Sequence, residues 1–114
     1  MTRRREAPIP RALVFAALGD PTRLALVAQL ADAHPRSISQ LAHGALLTRP
    51  LTRQAITKHL GVLQSAGIVR CTRAGRERRF HLDPAPIEDL RRYLDRVSQH
   101  WDNALARLKS FVEA

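Results

Sequence analysis

The sequence predicts a mainly α-helical domain with one small β-hairpin, and three observations carry that expectation. Apolar residues recur at helical spacing through most of the chain. The stretch 68–82 instead places its apolar residues in two short extended segments around a glycine. The last part of the chain carries an unbroken apolar stripe with steps of three and four. With 114 residues the chain fits a single domain, 1–114, able to bury a modest core without staples.

Leu13, Val14, Ala17 and Leu18 have helical spacing and predict a first helix ending near Gly19. Asp20 followed by Pro21 reads as the entrance to a second, because an aspartate caps free amides and proline is tolerated where its missing N–H is not needed. That helix carries Leu24, Val27, Ala28 and Ala31 on one side. A break around Pro35 spans 33–36, after which Ser37 or Ser39 caps a short helix to about Ala45, with Ile38, Leu41 and Ala42 turned inward. Residues 44–50 form a connector. Thr52 precedes a longer helix over 53–66 that buries Ile56, Leu60 and Leu63 and stops at Gly67.

The period then changes. Ile68, Val69 and Cys71, followed by Phe80 and Leu82, form a two-stranded hairpin with its turn in 73–76, where Gly75 permits a tight reversal. Pro84 and Pro86 punctuate the chain before a helix that reaches about Val112. Along it, Ile87, Leu90, Leu94, Val97, Trp101, Ala104, Leu108 and Phe111 have the spacing of a coiled-coil seam. A helix of ~26 residues spans ~39 Å, more than so small a domain can cover. The stripe therefore predicts a two-fold homodimer through Leu90, Leu94, Val97, Trp101, Leu108 and Phe111, with 84–113 as the dimerisation helix. Packing within the monomer is the competing account.

The formal net charge is +9, unevenly spread. Eight basic residues stand between Arg49 and Arg79 against Glu77 alone, whereas from Asp83 onward five basic residues face six acidic ones. A concentrated positive segment joined to a nearly neutral tail is the electrostatic footprint of a nucleic-acid surface. Residues 1–9 read as a flexible basic arm in which Arg3, Arg4 and Arg5 reach a minor groove or remain solvated. Together with the apolar run 12–18 they imitate a secretory signal, but Glu6 interrupts the basic part and the apolar run leads into a helix entrance. No stretch approaches the ~18 apolar residues that cross a bilayer, so no membrane partner is expected. Cys71, the one cysteine, excludes an intramolecular disulfide and fits a reducing cytoplasm; it reads as a small apolar strand residue, with a redox switch as the alternative.

In the order helix, helix, short helix, long helix, hairpin, the fourth helix is the one that would enter a major groove. With Ile56, Leu60 and Leu63 inward, Gln54, Thr57, Lys58 and Gly61 fall on the opposite side, and Thr52 and Arg53 stand at the amino-terminal edge. Glutamine pairs bidentately with adenine and arginine with guanine, while Thr and Lys meet base edges or phosphates. Arg73, Arg76 and Arg78 of the hairpin are placed for phosphates or a minor groove, contributing affinity more than sequence choice. Of five aromatic residues, Phe15, Tyr93, Trp101 and Phe111 lie in predicted helices away from this cluster, which favours double-stranded DNA over stacking on RNA loops. No nucleophile–base arrangement, phosphate-cradling loop or paired-carboxylate motif is present, so neither catalysis nor a cofactor is expected.

The stretch Phe15-Ala-Ala-Leu-Gly-Asp-Pro-Thr-Arg-Leu24 resembles the opening signature of the ArsR/SmtB family of winged-helix repressors. Leu51 through Val69 is similar to that family's recognition helix and its exit into the wing, and Arg76-Glu-Arg-Arg-Phe-His-Leu82 to its second wing strand. The stretch from Trp101 to Glu113 resembles a branch in which no metal site is generally assigned. The resemblance implies a winged helix-turn-helix fold and a homodimer joined through its first and last helices. It also implies repression at an inverted-repeat operator, relieved by an effector that the sequence does not specify. The metal chemistry of the best-known members transfers poorly. The position of the family's cysteine pair falls within 37–43, which holds no cysteine, and only His100 lies in the last helix. Zinc takes about four N, S or O ligands, and His34, His43, His59, His81 and His100 form no closely spaced pair. A metal- or ligand-responsive sensor of the same fold and a protein-interaction module are the competing functions.

Overall fold

The computed structural model describes residues 9–44 and 49–113; the arginines of the predicted arm and most of the connector lie outside them. The elements run α1 (Arg11–Leu18), α2 (Pro21–Gln29), β1 (Arg36–Ser37), α3 (Ile38–Ala42), α4 (Arg53–Ser65), β2 (Val69–Ala74), β3 (Glu77–Leu82) and α5 (Pro84–Glu113). The strands form one antiparallel sheet in the order β1-β3-β2.

Local chemistry sets most boundaries. Asp20 caps α2 by accepting from the Arg23 backbone N–H at 3.0 Å, with Pro21 in the first turn. Ser37, rather than Ser39, caps α3: its hydroxyl accepts from the Gln40 N–H at 3.2 Å, and the Gln40 side chain accepts from the Ser37 N–H at 2.8 Å. This reciprocal pair satisfies two otherwise free donors. Thr52 caps α4 through the Ala55 N–H at 3.1 Å. At the other end Gly67 takes φ +76°, while Ile68 N–H bonds Leu63 O at 3.0 Å and Gly67 N–H bonds Gln64 O at 2.9 Å. That is a Schellman stop, and it needs the left-handed residue that glycine supplies. In the hairpin Ala74 opposes Glu77, leaving Gly75 and Arg76 as a two-residue turn with Gly75 at φ +66°.

Three expectations change. The break around Pro35 contains β1, in which Arg36 pairs with Phe80 and Ser37 with Arg79, so the sheet has three strands instead of two. Two residues show no period; Arg36 is held there by ion pairing with Asp32 at 2.7 Å. The inner face of α2 is Leu26 and Leu30, both fully buried, while Leu24 is 52% exposed. Arg23 reaches Ala17 O at 2.6 Å and His59 Nδ1 at 3.2 Å, which fixes the roll of the helix, and burying two leucines gains more than burying Ala28 and Ala31. Finally, Pro84 and Pro86 lie within the first turn of α5, where a missing N–H breaks no helical bond.

The core gathers Leu26, Leu30, Leu41, Ile56, Leu60, Leu63, Ile68, Val69 and Phe80, joined by Val14 and Ala17 of α1. From α5 only Leu90 is fully enclosed, with Ile87 packed beside it. Near its start α5 is tied to α1 by Arg11–Asp89 at 3.0 Å and by an edge-on Phe15–Tyr93 contact with ring centroids 6.2 Å apart. Beyond Tyr93 it runs clear of the domain. The radius of gyration is 18.5 Å, against about 13 Å for a compact chain of this length. Among the described residues, no helix is long and apolar enough to cross a membrane.

Candidate nucleic-acid interface

Helix α4 turns Ile56, Leu60 and Leu63 into the core and leaves Arg53, Gln54, Thr57 and Lys58 exposed. Thr52 is exposed but already serves as the cap. The Thr57 hydroxyl donates to Arg53 O at 2.8 Å, leaving its oxygen free to accept. On the same face a Cβ placed on Gly61 would meet nothing within 4 Å. Gln54, Thr57, Lys58 and Gly61 thus form one outward ridge on a helix whose other side is anchored.

The hairpin stands beside this ridge. Cross-strand register sets Arg73 directly opposite Arg78 and Cys71 opposite Phe80. The Arg78 guanidinium lies 5.3 Å from the Phe80 ring centre, with its Nε 3.4 Å from Cys71 Sγ, and Cys71 is half-buried. Like charges directly opposite on a sheet are destabilising, so this pairing is not there for stability. Between the hairpin and the start of α4 lies a groove of about 460 Å³ whose lining includes Ser37, Ser39, Arg53, Arg76, Glu77 and Arg78. Its one carboxylate, Glu77, is engaged by Arg79 Nε at 2.8 Å.

The structure therefore brings Arg53, Arg76 and Arg78 together, sets Gln54, Thr57 and Lys58 on the adjoining ridge, and pairs Arg73 across the hairpin with Arg78. Sequence reasoning missed Ser39, whose hydroxyl accepts from Arg53 Nη1. Fourteen residues separate the two, and no local pattern marks such a contact.

Of the predicted dimer residues, Leu90 is corrected. It is 4% exposed and spent on the protomer's own core, because it sits only two turns into α5, where that helix meets α1. Val97 is half-buried, whereas Leu94, Trp101, Leu108 and Phe111 are 50%, 61%, 58% and 81% exposed. Two carboxyls, Asp20 at the start of α2 and Asp83 just before α5, are lowered. Asp20 lies below the usual range, chiefly through the Arg23 N–H, with Arg23 and His59 adding charge. Burial raises Asp83, but hydrogen bonds from Arg70 and the Ala85 N–H outweigh it and leave its carboxyl lowered. Among the described residues of the protomer no three His, Cys, Asp or Glu side chains gather in a way that could hold a metal ion.

A helix–helix pair followed by a two-stranded hairpin, with an exposed polar ridge on the second helix, defines a winged helix-turn-helix domain of the DNA-binding type. Residues 18–72 match the model of a helix-turn-helix domain family. The chain is 36% identical over 98 residues to the HTH-type transcriptional regulator Rv2034 of Mycobacterium tuberculosis, covering 86% of this chain and 84% of that one. Its fold is similar to an ArsR-like transcriptional regulator from Rhodococcus sp. RHA1, with a TM-score of 0.74, 39% identity, and coverage of 89% and 91%. It is also similar to a homodimeric winged helix-turn-helix DNA-binding domain from Mycobacterium bovis, with a TM-score of 0.57, 26% identity, and coverage of 82% and 80%. The protein belongs to the ArsR/SmtB family of winged-helix transcriptional regulators.

Proposed function

We propose that the protein is a homodimeric repressor that occupies an inverted-repeat operator in duplex DNA, acting in the cytoplasm and catalysing no reaction. Each protomer presents α4 to a major groove, with Gln54, Thr57 and Lys58 toward base edges, while Arg73, Arg76 and Arg78 of the wing meet the backbone. The exposed part of the α5 seam joins two copies, so that residues 84–113 serve as the dimerisation helix and the two ridges are related by a two-fold axis. Repression is the outcome the family resemblance implies, with a bound dimer covering both half-sites.

The observation that carries this reading is the exposed ridge of α4 beside a wing whose Arg73, Arg76 and Arg78 are in no ion pair among the described residues. Selection of bound duplexes from a random pool tests it, combined with sedimentation equilibrium. The expected result is a dimer that enriches an inverted repeat with half-sites about 10 base pairs apart, or a multiple of that spacing. A monomer that enriches no sequence overturns it.

A further inference from the structure

Resting on that DNA-binding reading, we infer that the groove between α4 and the wing seats one backbone phosphodiester, and that Arg53 binds this phosphate instead of reading a base. Residue type and position on α4 make Arg53 look like a partner for guanine. Its guanidinium points elsewhere: Nη1 donates to Ser39 Oγ on α3, and the side chain lines the groove with Arg76 and Arg78. Gln54, Thr57 and Lys58 keep to the outward ridge.

Three features make the groove a seat for a monoanion. Its cations are uncompensated: among the described residues Arg53, Arg76 and Arg78 are in no ion pair, and Glu77 is taken by Arg79. Arg53 is the first residue of α4, against the positive end of the helix dipole, with no acidic residue in that turn. Arg78 faces Arg73 across the hairpin. Each placement raises the energy of the free protein, and an anion in the groove relieves both. Ser39 supplies the remaining element. Its oxygen accepts from Arg53, so its own proton is free to donate to a phosphate oxygen, and a guanidinium beside it matches the two unesterified oxygens of a phosphodiester. A phosphate held there ties recognition helix and wing to one point on the backbone and sets the register in which Gln54 meets a base.

The test uses the full chain, a duplex selected from a random pool, a shuffled duplex, and fluorescence anisotropy across 50 to 300 mM potassium chloride, concentrations of roughly the range where counterion release is read. Arg53→Ala is expected to weaken both duplexes by the same factor, about five- to tenfold, and to reduce the salt slope by about 1. Gln54→Ala weakens only the selected duplex. A single methylphosphonate at the contacted position costs the wild type a similar factor and costs Arg53→Ala nothing, which separates a discrete seat from diffuse charge. Arg53→Lys, which keeps the charge, retains the slope. Loss confined to the selected duplex with an unchanged slope makes Arg53 a base reader and overturns the inference. A saturable thermal shift with inorganic phosphate at constant ionic strength makes the groove a small-anion site and also overturns it. Failure of the DNA-binding reading is distinguishable, since the wild type itself then selects no duplex.

Discussion

Arg70 and Asp83 join the first residues of the wing to the first turn of α5: Arg70 Nε donates to Asp83 Oδ2 at 2.8 Å, while Asp83 Oδ1 accepts from the Ala85 N–H at 3.1 Å. The Asp83 N–H in turn bonds Ile68 O at 2.8 Å, so one residue ends the sheet and starts the long helix. Arg70 is well exposed, and an exposed ion pair contributes little, so the cap is the larger part. Asp83→Ala is expected to lower unfolding free energy by about 1–2 kcal/mol, the usual cost of a lost cap. Asp83→Asn keeps the cap and loses only the ion pair, below about 1 kcal/mol. Urea unfolding followed by circular dichroism checks the order; equal losses for the two variants would show that the ion pair, and not the cap, dominates.

Acid should destabilise the fold at this junction and at both ends of α2. The carboxyls of Asp20 and Asp83 are lowered, and Asp32 lies well below the usual range because Arg36 bonds its side chain and the His34 N–H adds to it. A carboxylate lowered in the folded state contributes stability above its unfolded value, about 3.9 for aspartate. That contribution is lost as pH falls through the lowered folded value. The urea midpoint should therefore be flat with respect to these groups from pH 7 to about 5 and fall steadily below about 4. Asp83→Asn should show a shallower acid limb than wild type; an identical limb would remove Asp83 from the account.

How far the sequence reveals this molecule depends on the range of the interactions that decide each feature. The inner face of α4, its stop at Gly67 and the Gly75 turn are set by residues within a few positions of one another, and period and turn chemistry suffice to read them. Strand β1 depends on β3, more than forty residues away, and two residues carry no period of their own. The roll of α2 is fixed by Arg23 reaching α1 and His59 of α4, so the stripe through Leu24 loses to the one through Leu26 and Leu30. The ridge of Gln54, Thr57 and Lys58 was legible for the same reason as the core beneath it. The turn of Arg53 toward Ser39 was not, because it is a contact between two helices.

The α5 stripe divides at about Tyr93 into a part used within the protomer and a part left open, which predicts opposite failures. Leu90→Ala empties a buried site and should destabilise the fold by about 2–5 kcal/mol. Trp101→Asp and Leu108→Asp, at exposed positions, should leave the melting of the domain core nearly unchanged at high protein concentration. They should shift sedimentation to single subunits, and operator affinity should fall on the order of 10²-fold or more as the benefit of two linked half-sites is lost. If both aspartate variants remain dimeric, the open part of the seam is not the interface.

Gly61 separates stability from binding most sharply. It lies inside α4, where glycine is disfavoured against alanine by about 0.8–1 kcal/mol, yet the space around its missing Cβ is empty. Among the described residues no packing contact repays that cost, since a Cβ there would meet nothing within 4 Å beyond its own helix backbone. The position lies on the ridge with Gln54, Thr57 and Lys58, so glycine is suited to an approaching DNA backbone or base edge, where even one methyl would hold the helix away. Gly61→Ala is therefore expected to raise the urea midpoint while weakening operator binding, and a larger residue such as Gly61→Leu to weaken binding further. Unfolding curves and anisotropy titrations on the same preparations measure both. If Gly61→Ala is more stable and binds the operator as well as wild type, α4 does not approach DNA closely at this turn, and the contact must be confined to its first two turns.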